Sequence, residues 1–430
     1  MHVNIKESNV NNISTTKKYT LAFATLCVMF FAWGIPNALQ NVILPQFQIG
    51  FQLSNLQTGF IDSAFYFGYF FVPIIAGIVS NKFGFKVSIL IGVVCMAIGT
   101  FLCSTSASIF SFGYFLVGLF VIAGGCGFLE SSANPLATML GSKDEAAFRI
   151  NFAQIFNVAA SFLTAIIGSH YILKGVTYKS DTQLAAMSQD QVIAYHHSLV
   201  QTATTPYFVI AIGLCLIVAL VIFTPFPKAS DVGSAGESSD GYFKTFKRVM
   251  KKPHFKWALI AMFLMNGCQN GIYAFAIRYS AMKLELTPDQ ASSYLIYVLI
   301  GALVGRILGT QLIKRFSPHL VLGYLAILSC IAALSASFAP GYIGVYSLVA
   351  AAMFMAIMYP TIFSLGIADL GRDTKIASSF MVMMIVGSVA MVPLMGFIAD
   401  NVSDFSMAEL APAFGYCVIS FFAFKKAMVR

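Results

Sequence analysis

Apolar runs of about 20 residues recur from one end of this chain to the other, each long enough to cross the hydrocarbon core of a bilayer. A soluble core has no room for so many. Of 430 residues 58% are hydrophobic and only 10% are charged, where a soluble chain carries roughly a quarter charged residues. The sequence therefore specifies an all-α, polytopic membrane protein. Its polar first 18 residues lead into some 27 apolar ones with no small-residue cleavage site behind them. That pattern predicts a retained first span, not a secretory signal. The eight cysteines all fall in apolar spans and none forms a Cys-x-x-Cys pair. They are expected to be packing residues, not disulfides or a metal site.

The pattern predicts twelve transmembrane helices, at 20–46, 57–80, 85–105, 112–140, 150–173, 206–226, 257–282, 288–313, 318–339, 343–366, 374–399 and 407–424. With both termini placed in the cytoplasm, the tails and cytoplasmic loops hold 21 Lys and Arg and the outer loops hold three. That asymmetry sets the orientation. The net charge of +9 is thus a topology signal, and it calls for a lipid bilayer and no nucleic acid as partner.

Three stretches recur in register. "NALQN" (37–41) matches "NGCQN" (266–270), "NPLATMLG" (134–141) matches "YPTIFSLG" (359–366), and "GIVSNKFGFK" (77–86) matches "GTQLIKRFSP" (309–318). The chain therefore reads as two six-helix pseudo-repeats: an N-terminal bundle at 1–226 with its polar tail at 1–18, a cytoplasmic linker at 227–256, and a C-terminal bundle at 257–430. The linker opens Ser/Gly-rich and ends "FKTFKRVMKKPHFK", which predicts a basic helix on the membrane surface. In the outer loop, Ser188 and Gln191 form a capping box for a short amphipathic helix. Its His196 and His197 are expected to be solvated residues, not ligands.

Acids inside apolar helices are expensive unless protonated, paired or facing water. Fifteen of the 17 acidic residues fall in predicted tails, loops or helix ends, which leaves Asp62 and Glu130. Glu130, in "GGCGFLESSANP", shares a helix face with Asn134. A carboxyl whose charge is costly there can take up and release a proton during transport. The glycines just before it thin the helix for close packing. On helix 5, Gln154 and Asn157 share a face, either as partners for substrate hydroxyls or as interhelical ties. Asp62 begins a face continued by Tyr66, Tyr69 and Pro73. If the turn between helices 1 and 2 centres near 51–52, Asn41 and Asp62 lie at similar height toward the outer side, with Glu130 nearer the cytoplasm. Gly301, Gly305 and Gly309 form a ladder for helix contact. Arg278 is either a snorkelling residue, the reading we favour, or a partner for Asp62.

With these residues in hand, the sequence resembles the fucose–proton symporter family of the major facilitator superfamily. The motifs that carry the likeness are "NVILPQFQ", "SAFYFGYFF", "FLVGLF", "LESSANP", "FAQIFN", "YPTIFSLG" and "MGFIAD", between residues 20 and 424. The resemblance implies the major facilitator fold, with substrate bound between the halves, and proton-driven sugar import at a bacterial inner membrane. It also implies a coupling glutamate matched by Glu130, and amides near the sugar matched by Gln154 and Asn157. It implies an aspartate on helix 1 as well, where this chain carries Asn41, which cannot titrate. Asp62, across the hairpin, is the expected replacement.

The expected protein imports L-fucose or a related monosaccharide with a proton by alternating access. Glu130 and Asp62 handle the proton. Asn37, Gln40, Asn41, Asn134, Gln154, Asn157, Asn266, Gln269 and Asn270 offer uncharged hydrogen bonds to hydroxyls. Tyr66, Tyr69 and Tyr359 offer faces for stacking. A monomer without a cofactor is expected. Sodium coupling through Asp62, an uncoupled carrier and a non-transporting sugar sensor stand as alternatives. No His-Glu-x-x-His motif or nucleophile–base set marks an enzyme.

Overall fold

The computed structural model describes residues 20–53, 55–168, 179, 181–227, 242–286, 288–402 and 404–427. The polar tail, most of the Ser/Gly-rich linker start and most of the outer segment 169–180 lie outside the described residues. So do the side chains of Asn37, Asn41 and Asp62.

Twelve long helical rods follow one another among the described residues. They are α1 Thr20–Gly50, α2 Asn55–Phe83, α3 Phe85–Ile109, α4 Phe112–Met139, α5 Ala146–Ile167, α6 Gln189–Phe223, α7 Pro253–Leu284, α8 Pro288–Arg315 and α9 Pro318–Phe338. Then come α10, in two pieces Gly341–Met355 and Met358–Ile367, and α11, as Thr374–Met383 and Gly387–Asn401 joined by the 3-10 turn Met384–Val386. The last is α12, Leu410–Phe421, entered through a 3-10 turn at Phe405–Glu409. Ten are long and apolar enough by composition to cross a membrane, and α2 and α5 complete the twelve.

The ends follow local chemistry. Prolines open α7, α8 and α9, where the absent N–H costs nothing. Ser111 caps α4 by accepting from the Tyr114 N–H. Gly84, at φ +86°, turns α2 into α3, a backbone state that suits glycine. The α1–α2 turn begins at Phe51 and Gln52, where the sequence puts it.

One boundary differs. The capping box at Ser188 and Gln191 forms, but it starts the whole of α6, a single 35-residue helix. The expected separate short helix is the first half of this rod, which runs on through Pro206. Three cysteines also depart from the packing expectation: Cys215 and Cys417 are exposed and Cys95 half-buried. The linker's basic segment is helical over Tyr242–Val249. Its Tyr242 and Phe246 rings pack on Phe380 of α11, and Phe243 stays exposed.

Within the first six rods, α4 packs on α2 and α3, α3 on α6, and α1 on α5 and α6. Within the last six, α9 packs on α10 and α12, α7 on α11 and α12, and α8 on α10. The glycine ladder of α8 does close helix work: a Cβ at Gly301 would meet Val349 and one at Gly309 would meet Ile357 of α10. The extensive contacts between the two sets run through α2 and α4 with α11, and α5 with α8 and α10. They gather at the ends that carry the basic loops. There Lys143 pairs with Asp369 at 2.8 Å, and Lys314 lies over the Phe148 ring. A Cβ on Gly77 would touch Ser379. Deeper in, Asn151 donates to Thr361 across the interface at 3.1 Å.

Candidate functional site

Glycines set the approach to the candidate acid. A methyl on Gly125 would lie 2.6 Å from the Gly92 carbonyl of α3, and one on Gly127 would lie 3.3 Å from the Pro73 ring of α2. Bare backbone at these positions lets α4 sit deep between its neighbours, and the next turn delivers Glu130. Its side chain is only 7% exposed. The Tyr69 hydroxyl of α2 donates to Glu130 Oε1 at 3.1 Å. The Tyr359 hydroxyl of α10 donates to Oε2 at 2.7 Å. One donor comes from each set of six helices, so the carboxylate bridges them.

The amides surround this pair. Asn134, one turn beyond Glu130 and fully buried, lies beside the Tyr359 hydroxyl. Its Oδ1 accepts from Gln154 Nε2 of α5 at 3.3 Å. Asn157 donates to the Phe30 carbonyl of α1 at 3.2 Å, and Ser161 donates to the Gly34 carbonyl at 3.3 Å. Gly34 makes that approach close, since a Cβ there would collide with Asn157. In this state both α5 amides spend a donor on interhelical ties.

The matching stretch of α7 is tied similarly. Asn266 donates to the Met262 carbonyl, while Asn270 donates to Ser388 of α11 at 2.6 Å and to the Asn266 carbonyl. Gln269 Nε2 donates to the Tyr273 hydroxyl at 3.4 Å. On α1 and α2, Gln40 is buried and Tyr66 half-buried. The structure thus gathers Glu130, Tyr69, Tyr359, Asn134 and Gln154 into one set of contacts. Asn157 and the α7 amides stand on neighbouring ties. Arg278 stacks its guanidinium 4.6 Å from the centre of the Phe405 ring, as suits a residue near the outer end of α7.

Two charged residues of importance escaped the sequence reading. Arg306 of α8 is 4% exposed and lies beside both Tyr273 and Tyr359. Its Nε and Nη1 are buried without a hydrogen-bond partner among the described residues. The signal was available in "GALVGRILG", a cation in the middle of an apolar run. Glu409 was placed at a helix end, yet it is 1% exposed. Both its oxygens lack hydrogen-bond partners among the described residues. The turn Phe405–Glu409 folds back into the bundle, which buries it near Tyr279 and Tyr416. Among the described residues, no group of three His, Cys, Asp or Glu could hold a metal.

This arrangement can be set beside known proteins. The sequence profile of the Major Facilitator Superfamily matches residues 21–393. The chain is 40% identical over 409 residues to the L-fucose-proton symporter of Escherichia coli (strain K12), covering 95% of this chain and 93% of that one. It is 28% identical over 413 residues to a glucose/galactose transporter of Brucella abortus biovar 1 (strain 9-941), covering 95% of each. Among solved structures, the superfamily transporter FucP in the outward conformation matches with a TM-score of 0.90 at 40% identity, covering 96% of this chain and 100% of that one. A proton:xylose symporter, 14% identical with a TM-score of 0.73 over 97% of each chain, shares the fold.

Proposed function

The chain belongs to the Major Facilitator Superfamily, and from that premise we propose that it imports L-fucose, or a closely related monosaccharide, together with a proton. It is a multi-pass membrane transporter and not an enzyme, as its relatives are transporters. The observation that carries the reading is the Glu130 carboxylate, buried and held by one phenol from each half.

The mechanism follows from what a carboxyl can do in each protonation state. Ionised, it is acceptor-only and can satisfy both phenols; protonated, one oxygen becomes a donor. Protonation therefore weakens one of the two phenol contacts, and losing the Tyr359 bond loosens the tie between halves. Proton binding and the closed contact on the basic-loop side are thereby linked. We assign the two halves to 1–226 and 257–430, rocking about the site, with 227–256 as their connection. The halves meet at the basic-loop ends, which supports an arrangement closed to the cytoplasm, with both termini cytoplasmic in a bacterial inner membrane. The protein is proposed to work as a monomer.

The sugar is placed between the amide stretches. We assign it Asn37, Gln40, Asn41, Asn134, Gln154, Asn157, Asn266, Gln269 and Asn270 for hydroxyls, and Tyr66, Tyr69 and Tyr359 for apolar contact. Neutral amides suit a neutral polyol, since a charged substrate would ask for an opposite buried charge. Asp62 is proposed as the second proton-handling acid, supported by its place across the α1–α2 turn from Asn41.

Uptake of L-fucose, D-glucose, D-galactose and D-xylose into proteoliposomes tests the reading, with and without an imposed pH gradient and in sodium-free buffer. L-fucose is expected to accumulate only with the gradient, and sodium removal is expected to leave it unchanged. Asp62→Asn is expected to abolish accumulation while part of the sugar exchange persists. Accumulation that follows sodium, or equal accumulation without any gradient, would contradict proton coupling.

A further inference from the structure

A buried guanidinium in a membrane protein must be matched by something, because an unpaired buried donor is costly and an unmatched charge more so. Other buried cations here are provided for. Arg149 donates from Nε and Nη2 to the Ala137, Thr138 and Ser142 carbonyls, and its Nη1, without a hydrogen-bond partner, still has the Glu145 carboxylate 3.7 Å away, while Lys375 lies over the Phe85 ring. Arg306 has no such provision for Nε and Nη1. It stands next to Tyr359 and Tyr273, and those phenols connect it to Glu130 and to Gln269.

The chemistry on the two sides of this spot is complementary. From α4 and α5 come the Glu130 carboxylate, which only accepts, and the amides of Asn134 and Gln154, which both accept and donate. From α8 comes a guanidinium, which only donates. A sugar hydroxyl both donates and accepts, so its proton can go to an acceptor on the α4–α5 side while its oxygen takes an N–H from the cation. The guanidinium is also a rigid planar fork whose neighbouring N–H groups address two adjacent oxygens at once. Vicinal hydroxyls of a pyranose present such a pair. We infer that Arg306 is a sugar-binding residue, its guanidinium donating to two adjacent hydroxyl oxygens of the monosaccharide. This rests on the sugar-transport reading above. Tyr359 then has two duties: it donates to Glu130 and lies against the cation that holds the sugar.

Calorimetric binding of L-fucose and its monodeoxy analogues to purified wild type, Arg306→Gln and Arg306→Lys tests the inference. Arg306→Gln is expected to weaken L-fucose binding about 10- to 100-fold, as befits loss of charged hydrogen bonds. The deoxy analogues lacking the contacted hydroxyls, penalised with wild type, are expected to bind this variant no worse than L-fucose does. Unchanged L-fucose affinity in Arg306→Gln overturns the inference. So does an unaltered set of deoxy penalties, which would mark Arg306 as a purely electrostatic or packing residue. Arg306→Lys keeps the charge but loses the fork, and serves if Arg306→Gln does not fold. Wild-type deoxy penalties retained in Arg306→Lys also overturn the inference. A wild type that binds none of these sugars contradicts the transport reading itself.

Discussion

At 2.7 Å from Glu130 Oε2, the Tyr359 hydroxyl is the polar contact that joins the acid of one half to a helix of the other. The Tyr69 phenol serves the same carboxylate from its own half. Their substitution should therefore differ in kind. Tyr359→Phe is expected to lower pH-gradient-driven accumulation of L-fucose by about tenfold, the value of one hydrogen bond to a charged group. Sugar counterflow, which needs no net proton movement, should keep most of its rate. Tyr69→Phe leaves the bond between halves in place and should affect accumulation less. Comparing accumulation with counterflow in the two variants checks this. Glu130, Asn134, Gln154 and Tyr359 were legible in the sequence because an acid and amides in apolar helices are costly and stand out. Arg306 stands out by the same logic, but the loop count that sets orientation passes over a lone cation within a helix. Its neighbours on α7 and α10 become visible only when those helices are packed. Glu409 was missed because its burial depends on a turn that folds inward, which periodicity does not report.

Helix ends and breaks show the same division. Apolar length found twelve helices, because a bilayer demands it. It could not find the interruption of α10 after Met355 or the 3-10 turn Met384–Val386 in α11, since both lie in continuous apolar sequence. Nor did it see that α6 runs back to Gln189, because the polar first turns resemble a loop and Pro206 resembles a helix start. The entry to α12 offers a test at this scale. Asp404 caps the turn by accepting from the Ser406 O–H at 2.6 Å and N–H at 2.9 Å, and it lies 3.6 Å from Lys283. These bonds hold its carboxyl below the usual aspartate value of 3.8, the Ser406 hydroxyl foremost. A carboxyl lowered on folding adds stability at neutral pH that is lost as pH falls through its folded value. Thermal melting in detergent should therefore decline more steeply for wild type than for Asp404→Asn between about pH 5 and about pH 3. Parallel declines would mean the capping bonds add no pH-dependent stability.

For the whole molecule, the two sets of six helices meet at their basic-loop ends. The Lys143–Asp369 pair there is exposed, and exposed pairs of this sort contribute little. The stronger ties lie deeper, at Asn151–Thr361 and Glu130–Tyr359. On the proposed mechanism, control of the closed side lies at the acid and its phenol. The repeat of "NALQN" in "NGCQN" is the sequence feature on which the proposed division into halves rests. Which side the halves close was not legible, because one sequence must stabilise both arrangements of an alternating carrier.

We propose that the Glu130 carboxyl carries the proton that enters with the sugar. The direct measurement is the pH of a lightly buffered, de-energised suspension of cells or proteoliposomes on addition of L-fucose. Wild type is predicted to alkalinise the medium as protons enter with sugar. Glu130→Gln, which keeps the shape and loses the titrating group, is predicted to bind and exchange L-fucose with no pH change. A wild-type alkalinisation per fucose taken up by Glu130→Gln would contradict this role for Glu130.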